Sequence, residues 1–248
     1  MQAVSTSILN PVTTPSLLYP ALGIGGKLRP SEKHYICPRC AGNVRTRLQV
    51  QIIRKREMVF GFMCHDCGNR WYISSRLLLN EVLEEQLSKI YKFTHETKKE
   101  FGALLVKTPE GIRMDMLDIG EDLSVTFRKT KEYRKDERVV GSVHAHPISD
   151  EFSDWDVGTF LKDDWEKISI VVGANGTINV LVKSPETLMI KDEDLEPWID
   201  DNKMINLVDK AEKYQFLLFK GKVNNLKLLA GSSSLPITSL EQLLRQIE

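Results

Sequence analysis

Four cysteines fall in two pairs, Cys37-Pro-Arg-Cys40 and Cys64-His-Asp-Cys67, with 23 residues between them. Each Cys-x-x-Cys knuckle turns two sulfurs toward one ion, and two knuckles complete a tetrahedron, the pattern of a closed structural zinc site. No cysteine is left over. A module of roughly 45 residues has a small core, so metal must supply much of its folding free energy. Redox pairs or unrelated buried thiols are the competing reading. His34 and His65 stand nearby as spare donors and read as surface residues.

A second group lies in VVGSVHAHPISDEFSDWDVGTF, residues 139–160. His144 and His146 are two apart at the end of a β-branched run. On a strand, positions i and i+2 face the same side, so both imidazoles can grip one ion. Pro147 ends the strand. Ser153 and Asp156 are three apart, which places them on one face of a helical turn. Two imidazoles and one carboxylate leave a fourth tetrahedral position for water. Zinc there brings the water's pKa from ~15.7 towards ~7 and yields hydroxide at neutral pH. The expected complement is two zinc ions per chain, one catalytic and one structural. The competing reading makes His144 and His146 ordinary strand residues and Asp156 a helix N-terminal acid favoured by the dipole.

The combination H-x-H-P followed by S-x-x-D resembles the JAMM (MPN-plus) metalloproteases, over residues 93–185. The resemblance implies that His144, His146 and Asp156 hold the catalytic zinc and that Ser153 steadies the oxyanion. It also implies a glutamate ahead of the first strand as general base and then acid. Glu100, in Glu-Phe-Gly-Ala-Leu-Leu-Val, fits that form, with Glu96 in reserve. One departure stands out: the spacer from proline to serine is usually six residues, and here it is five, Ile148 to Phe152. A tighter loop is implied, with Asp150 or Asp154 as substitute ligands and an inactive family member as the alternative outcome. The implied reaction is cleavage of an amide after a ubiquitin-like or sulfur-carrier protein tail.

The run FGFMCHDCGNRWYI resembles the zinc ribbons of transcription elongation factors and small RNA polymerase subunits. The acidic pair of elongation-factor ribbons is missing, and Arg54-Lys55-Arg56 stand in its place, so transcript cleavage is not implied. Basic residues beside Phe60, Phe62, Trp71 and Tyr72 could bind nucleic acid, although ribbon aromatics more often pack the small core. Two other classes stay open: a non-enzymatic nucleic-acid- or RNA polymerase-binding protein on a JAMM-like scaffold, and a hydrolase of smaller substrates of the RadC type.

The elements that must position these groups follow from patterning. The chain has 248 residues, 42% hydrophobic and 27% charged, with 34 basic and 34 acidic side chains, which excludes wholesale disorder. No run of 18 apolar residues exists, so no membrane-spanning helix and no membrane partner is expected. Residues 1–26 carry no charge and lack the basic start of a signal peptide, and four cysteines are too few for a disulfide scaffold, which points to the cytoplasm. Residues 27–76 hold eleven Lys/Arg against three Asp/Glu, so a basic front module precedes an acidic body. We expect a flexible arm at 1–30, with a docking segment around Leu17–Ile24, and a zinc ribbon at 31–76. A linker helix at 77–92 joins them to the JAMM-like domain at 93–185, and a capping or dimerising extension fills 186–248. The fold class is α+β, a JAMM-like mixed β-sheet flanked by helices and preceded by a small three-stranded ribbon. Strands are expected at FGALLV, IRMDMLDI, LSVTF, RVVGSVHAH, ISIVV and INVLV, the last two joined by an Asn175-Gly176 hairpin. Helices are expected near Asp154–Leu161, 203–216 and 238–247.

Overall fold

The computed structural model describes residues 36–42, 44–52, 57–119, 133–195, 206–231 and 237–248. The arm at 1–30, Arg54-Lys55-Arg56 and the expected strand LSVTF lie outside the described residues.

Strands β1 (Val44–Ile52), β2 (Glu57–Cys64) and β3 (Arg70–Ser74) form an antiparallel sheet of their own, carrying the cysteine knuckles at its end. Phe60 and Phe62 are buried in this small module, and Phe62 stacks on Trp71 with ring centroids 5.6 Å apart. These aromatics fill the core, and Tyr72, 61% exposed, alone of the four projects into solvent.

The main layer is a nine-stranded mixed sheet. Its members are β4 (Arg76–Leu78), β5 (Phe101–Thr108), β6 (Gly111–Ile119), β7 (Arg138–Ala145), β8 (Ile168–Val172), β9 (Ile178–Val182), β10 (Leu217–Lys222), β11 (Asn225–Ala230) and β12 (Ile237–Ser239). The order across the sheet is β12-β4-β11-β10-β9-β8-β7-β5-β6. Only β7–β8 and β12–β4 pair in parallel. The first parallel pair needs a crossover, supplied by α2 (Asp154–Lys162).

Alternation along the strands sorts the core into two halves. One face carries Phe101, Ala103, Val143, Ala145, Ile170, Val180 and Phe219, covered by α1 (Glu81–Thr97) and α4 (Leu240–Leu244). The other carries Val171, Leu181 and Leu218, covered by α2 and α3 (Leu207–Tyr214) through Val157, Phe160, Ala211 and Tyr214. Helices thus flank the sheet on both faces, as expected for the α+β class.

Two element boundaries differ from the sequence expectation. The linker helix runs from Glu81 to Thr97, not over 77–92. Leu77 is a buried strand residue of β4, and Asn80 caps the helix by accepting a hydrogen bond from the Leu83 N–H at 2.9 Å. Asn80 also donates to the Ile112 carbonyl at 2.7 Å, which ties the cap to β6. Leu77 and Leu78 belong to a strand, and Leu79 lies between strand and helix, because tertiary pairing overrides local pattern. The stretch 186–248 likewise adds β10, β11 and β12 to the main sheet, and Leu240, Leu243 and Leu244 are buried in its core. That apolar stripe is covered by the chain itself.

Candidate functional site

The cysteine site comes first in the chain. All four sulfurs lie within 4.8 Å of one another. Cys37 Sγ is 3.6 Å from Cys67 Sγ, and Cys40 Sγ is 3.5 Å from Cys64 Sγ, with all four thiols free. Tetrahedral zinc with ~2.3 Å bonds to sulfur separates its sulfurs by ~3.8 Å, close to this spacing. The knuckle turns use left-handed backbone just after each pair, at Ala41 (φ 56°) and Gly68 (φ 68°). Burial opposes ionisation of Cys37, yet the Arg39 and Cys40 backbone groups hold its thiol down at about 6. The Gly42 backbone favours the Cys40 thiolate, but the Cys67 and Cys64 sulfurs outweigh it and push that thiol up to about 12. Four clustered thiols cannot all ionise without a cation among them, so the donor set fits zinc.

The second site sits on the α2 face of the sheet. Ser142 and His144 point to that face of β7, while Val143 and Ala145 point into the opposite core. Gly102 on β5 pairs with His144 and contributes no side chain there. Glu100 lies one residue before β5, two positions along from Gly102, and is buried. The His146 N–H donates to the Val172 carbonyl at 2.9 Å, so the β7–β8 ladder continues beyond the strand and holds His146 in line with His144.

These placements bring donor atoms of Glu100, His144 and His146 within 4.8 Å of one another. His146 Nε2 lies 3.9 Å from Glu100 Oε1. The two imidazole centroids are 4.8 Å apart. Asp156 closes the group from α2, with Oδ1 at 3.3 Å from His144 Nε2 and Oδ2 at 3.7 Å from His146 Nε2. Ser153 is the N-cap of α2 and Asp156 is its third residue, in a reciprocal capping box. The Ser153 N–H and hydroxyl both donate to Asp156 Oδ2 at 2.7 Å, which fixes that oxygen near His146 and turns Oδ1 toward His144.

The short spacer is accommodated by the β8–β9 hairpin. Asp150 accepts hydrogen bonds from the Asn175 N–H at 2.8 Å and its side-chain amide at 2.6 Å. Asn179 donates to the Asp150 carbonyl at 2.7 Å. Gly173 is required beneath it, since a Cβ there would lie 2.6 Å from Asp150 Cα. Asp150 is therefore committed to the hairpin and Asp154 faces Lys210 at 3.7 Å, so neither substitutes for Asp156. Glu96, the reserve base, is exposed near the end of α1 and is not part of the group.

The electrostatics suit a cation. Burial disfavours the charged His144 imidazole, but Asp156 and Glu100 outweigh it and raise its pKa. Burial and the neighbouring His144 push His146 down to about 4. Burial would raise Asp156, yet His144, His146 and the Ser153 hydroxyl hold it well below the carboxylate range. Burial raises Glu100, against the pull of His144. His144 Nε2 is buried without a well-aligned hydrogen bond, an orphan that a metal ion would satisfy. Two imidazoles and two carboxylates around that atom are a donor set suited to zinc.

The structure brings Glu100, His144, His146 and Asp156 into one group, with Ser153 bonded to Asp156, and the four cysteine sulfurs into another. Sequence reasoning missed Glu166, Lys183 and Asn179, all buried polar groups behind or beneath the second site. Their only signal is a polar residue against or within an apolar strand, as in Glu166-Lys-Ile-Ser-Ile-Val-Val.

No protein-family model matches the chain, and no curated protein matches it. Among solved structures, a JAB1/MPN domain protein from Archaeoglobus fulgidus matches at 23% identity and a TM-score of 0.28, over 42% of this chain and 86% of that one. No helix among the described residues is long and apolar enough to cross a membrane.

Proposed function

We propose that this chain is a JAMM-type zinc metalloprotease that cleaves an amide after a ubiquitin-like or sulfur-carrier protein tail. The observation that carries the reading is the convergence of Glu100, His144 and His146 within 4.8 Å, with Asp156 beside both imidazoles. A zinc ion held by His144, His146 and Asp156 would supply Lewis acidity to a water molecule and to the scissile carbonyl. Glu100 takes a proton from the attacking water and delivers it to the leaving amine. Its raised pKa suits a group that must both hold and release a proton. Ser153, whose hydroxyl donates to Asp156 Oδ2 in this structure, would turn that proton to the oxygen on which negative charge develops while its N–H keeps Asp156 in place. The ribbon carries a second, structural zinc on Cys37, Cys40, Cys64 and Cys67.

The test is release of a reporter from the C-terminus of a ubiquitin-like fusion by the full chain. Glu100→Gln is expected to keep two zinc ions by elemental analysis and to cleave roughly 10²–10⁴-fold more slowly. Wild-type rates from that variant overturn the base assignment. One zinc per chain removes one of the two centres, and two zinc ions with no cleavage of the fusion overturn the substrate class.

A further inference from the structure

Behind the second site lies a buried acid that the proposed reaction does not use. Glu166 is 3% exposed and follows α2 at the point where the chain enters β8. Its N–H donates to the Asp163 carbonyl at 3.0 Å, and the next residue's N–H donates to the Val140 carbonyl on β7 at 2.8 Å. Ser142 on β7 donates its hydroxyl to Glu166 Oε1. Ser169, opposite Ser142 on β8, supplies the second hydroxyl partner. Lys183 closes the same turn by donating to the Asp163 and Leu161 carbonyls at 2.9 and 3.3 Å.

Ser142 and His144 are i and i+2 on one face of β7, so the tie to Ser142 sets Glu166 one strand position along from His144 on that face. The turn it occupies joins α2, which carries Asp156, to β8, the parallel neighbour of the strand that carries His144. A carboxylate sealed against hydroxyls with no paired cation costs stability when it is charged. Burial pushes this carboxyl up to about 7, against those hydroxyls and the attraction of His144.

We propose that Glu166 is a positioning residue for the metal centre: fastened through Ser142 to β7, its charge behind His144 strengthens that imidazole as a ligand. Groups that orient and polarise a ligating histidine from behind contribute this way in metal sites generally. The inference rests on the metal-site reading above.

Cobalt(II) titration tests it, on the full chain with zinc in the ribbon, at pH 8, followed by visible absorption. Wild type is expected to bind one cobalt at the His144 centre. Glu166→Gln keeps the shape of the side chain and removes its charge. It is expected to bind cobalt about 10–100-fold more weakly while its melting temperature before metal addition rises. Ser142→Ala leaves the carboxyl but removes its tie, and a smaller loss of cobalt affinity is expected. Wild-type cobalt affinity in folded Glu166→Gln overturns the inference. If that variant does not fold, wild-type affinity in Ser142→Ala overturns it. A lowered melting temperature with unchanged affinity assigns Glu166 to packing alone and also overturns it. Wild-type protein that takes no cobalt beyond the ribbon overturns the metal-site reading first, and this inference with it.

Discussion

Asp156 does two jobs with two oxygens. Oδ2 is held by the Ser153 N–H and hydroxyl, and Oδ1 faces His144 at 3.3 Å. Asp156→Ala should therefore lose both the cap and the ligand. The cap alone is worth about 1 kcal/mol. Zinc should fall from two to one per chain, with the ribbon zinc retained, and elemental analysis with thermal melts checks both effects. Ser153→Ala should be milder, since the backbone N–H still holds Oδ2. These residues were legible in the sequence because H-x-H-P and S-x-x-D are local patterns, and Glu100 sits just before a recognisable strand. Glu166 and Lys183 were not, because nothing local separates a buried acid or lysine from a solvated one. Only the packing of α2 over β7 and β8 makes them functional candidates.

At the scale of elements, the loop from Pro147 to Phe152 decides whether the ligand set closes. It is one residue shorter than in the JAMM pattern that the motif resembles, and the β8–β9 hairpin receives it through Asp150, Asn175 and Asn179. Gly173→Ala would push a methyl group against the Asp150 backbone, which cannot swing aside as a side chain can. The expected result is a loss of about 1–3 kcal/mol in stability and weaker zinc at the His144 centre, with the ribbon unaffected. Urea unfolding and zinc competition measure the two. The hairpin itself was readable from Asn175-Gly176, and α2 from the three-residue spacing of Ser153 and Asp156. The start of α1 was not, since Leu77 and Leu79 satisfy a helical period equally well. What separates them is Asn80, whose cap and whose bond to Ile112 depend on β6 being near.

For the molecule as a whole, the buried carboxyl of Glu166 sets a pH dependence. Its pKa rises on folding from 4.5 to about 7, so between those values the folded chain binds the extra proton. The Glu166 contribution to metal-free stability should then fall as pH climbs from about 4.5 to 7, by up to about 3 kcal/mol, while His146, held down to about 4, contributes the opposite slope. Glu166→Gln should flatten that slope, and denaturant melts of chelator-treated protein at pH 5 and pH 8 compare the two. The sheet was legible strand by strand, but its extent was not. Residues beyond 185 read as an accessory, whereas β10 pairs along all of β9, from Leu217 opposite Val182 to Gly221 opposite Ile178. A fragment trimmed at residue 185 would leave the β9 edge unsatisfied and strip α3 and α4 from the two faces of the sheet. Bare edges of that kind recruit a second copy, so the smallest workable unit of this protein reaches into its last strands, and shortening it would invite aggregation.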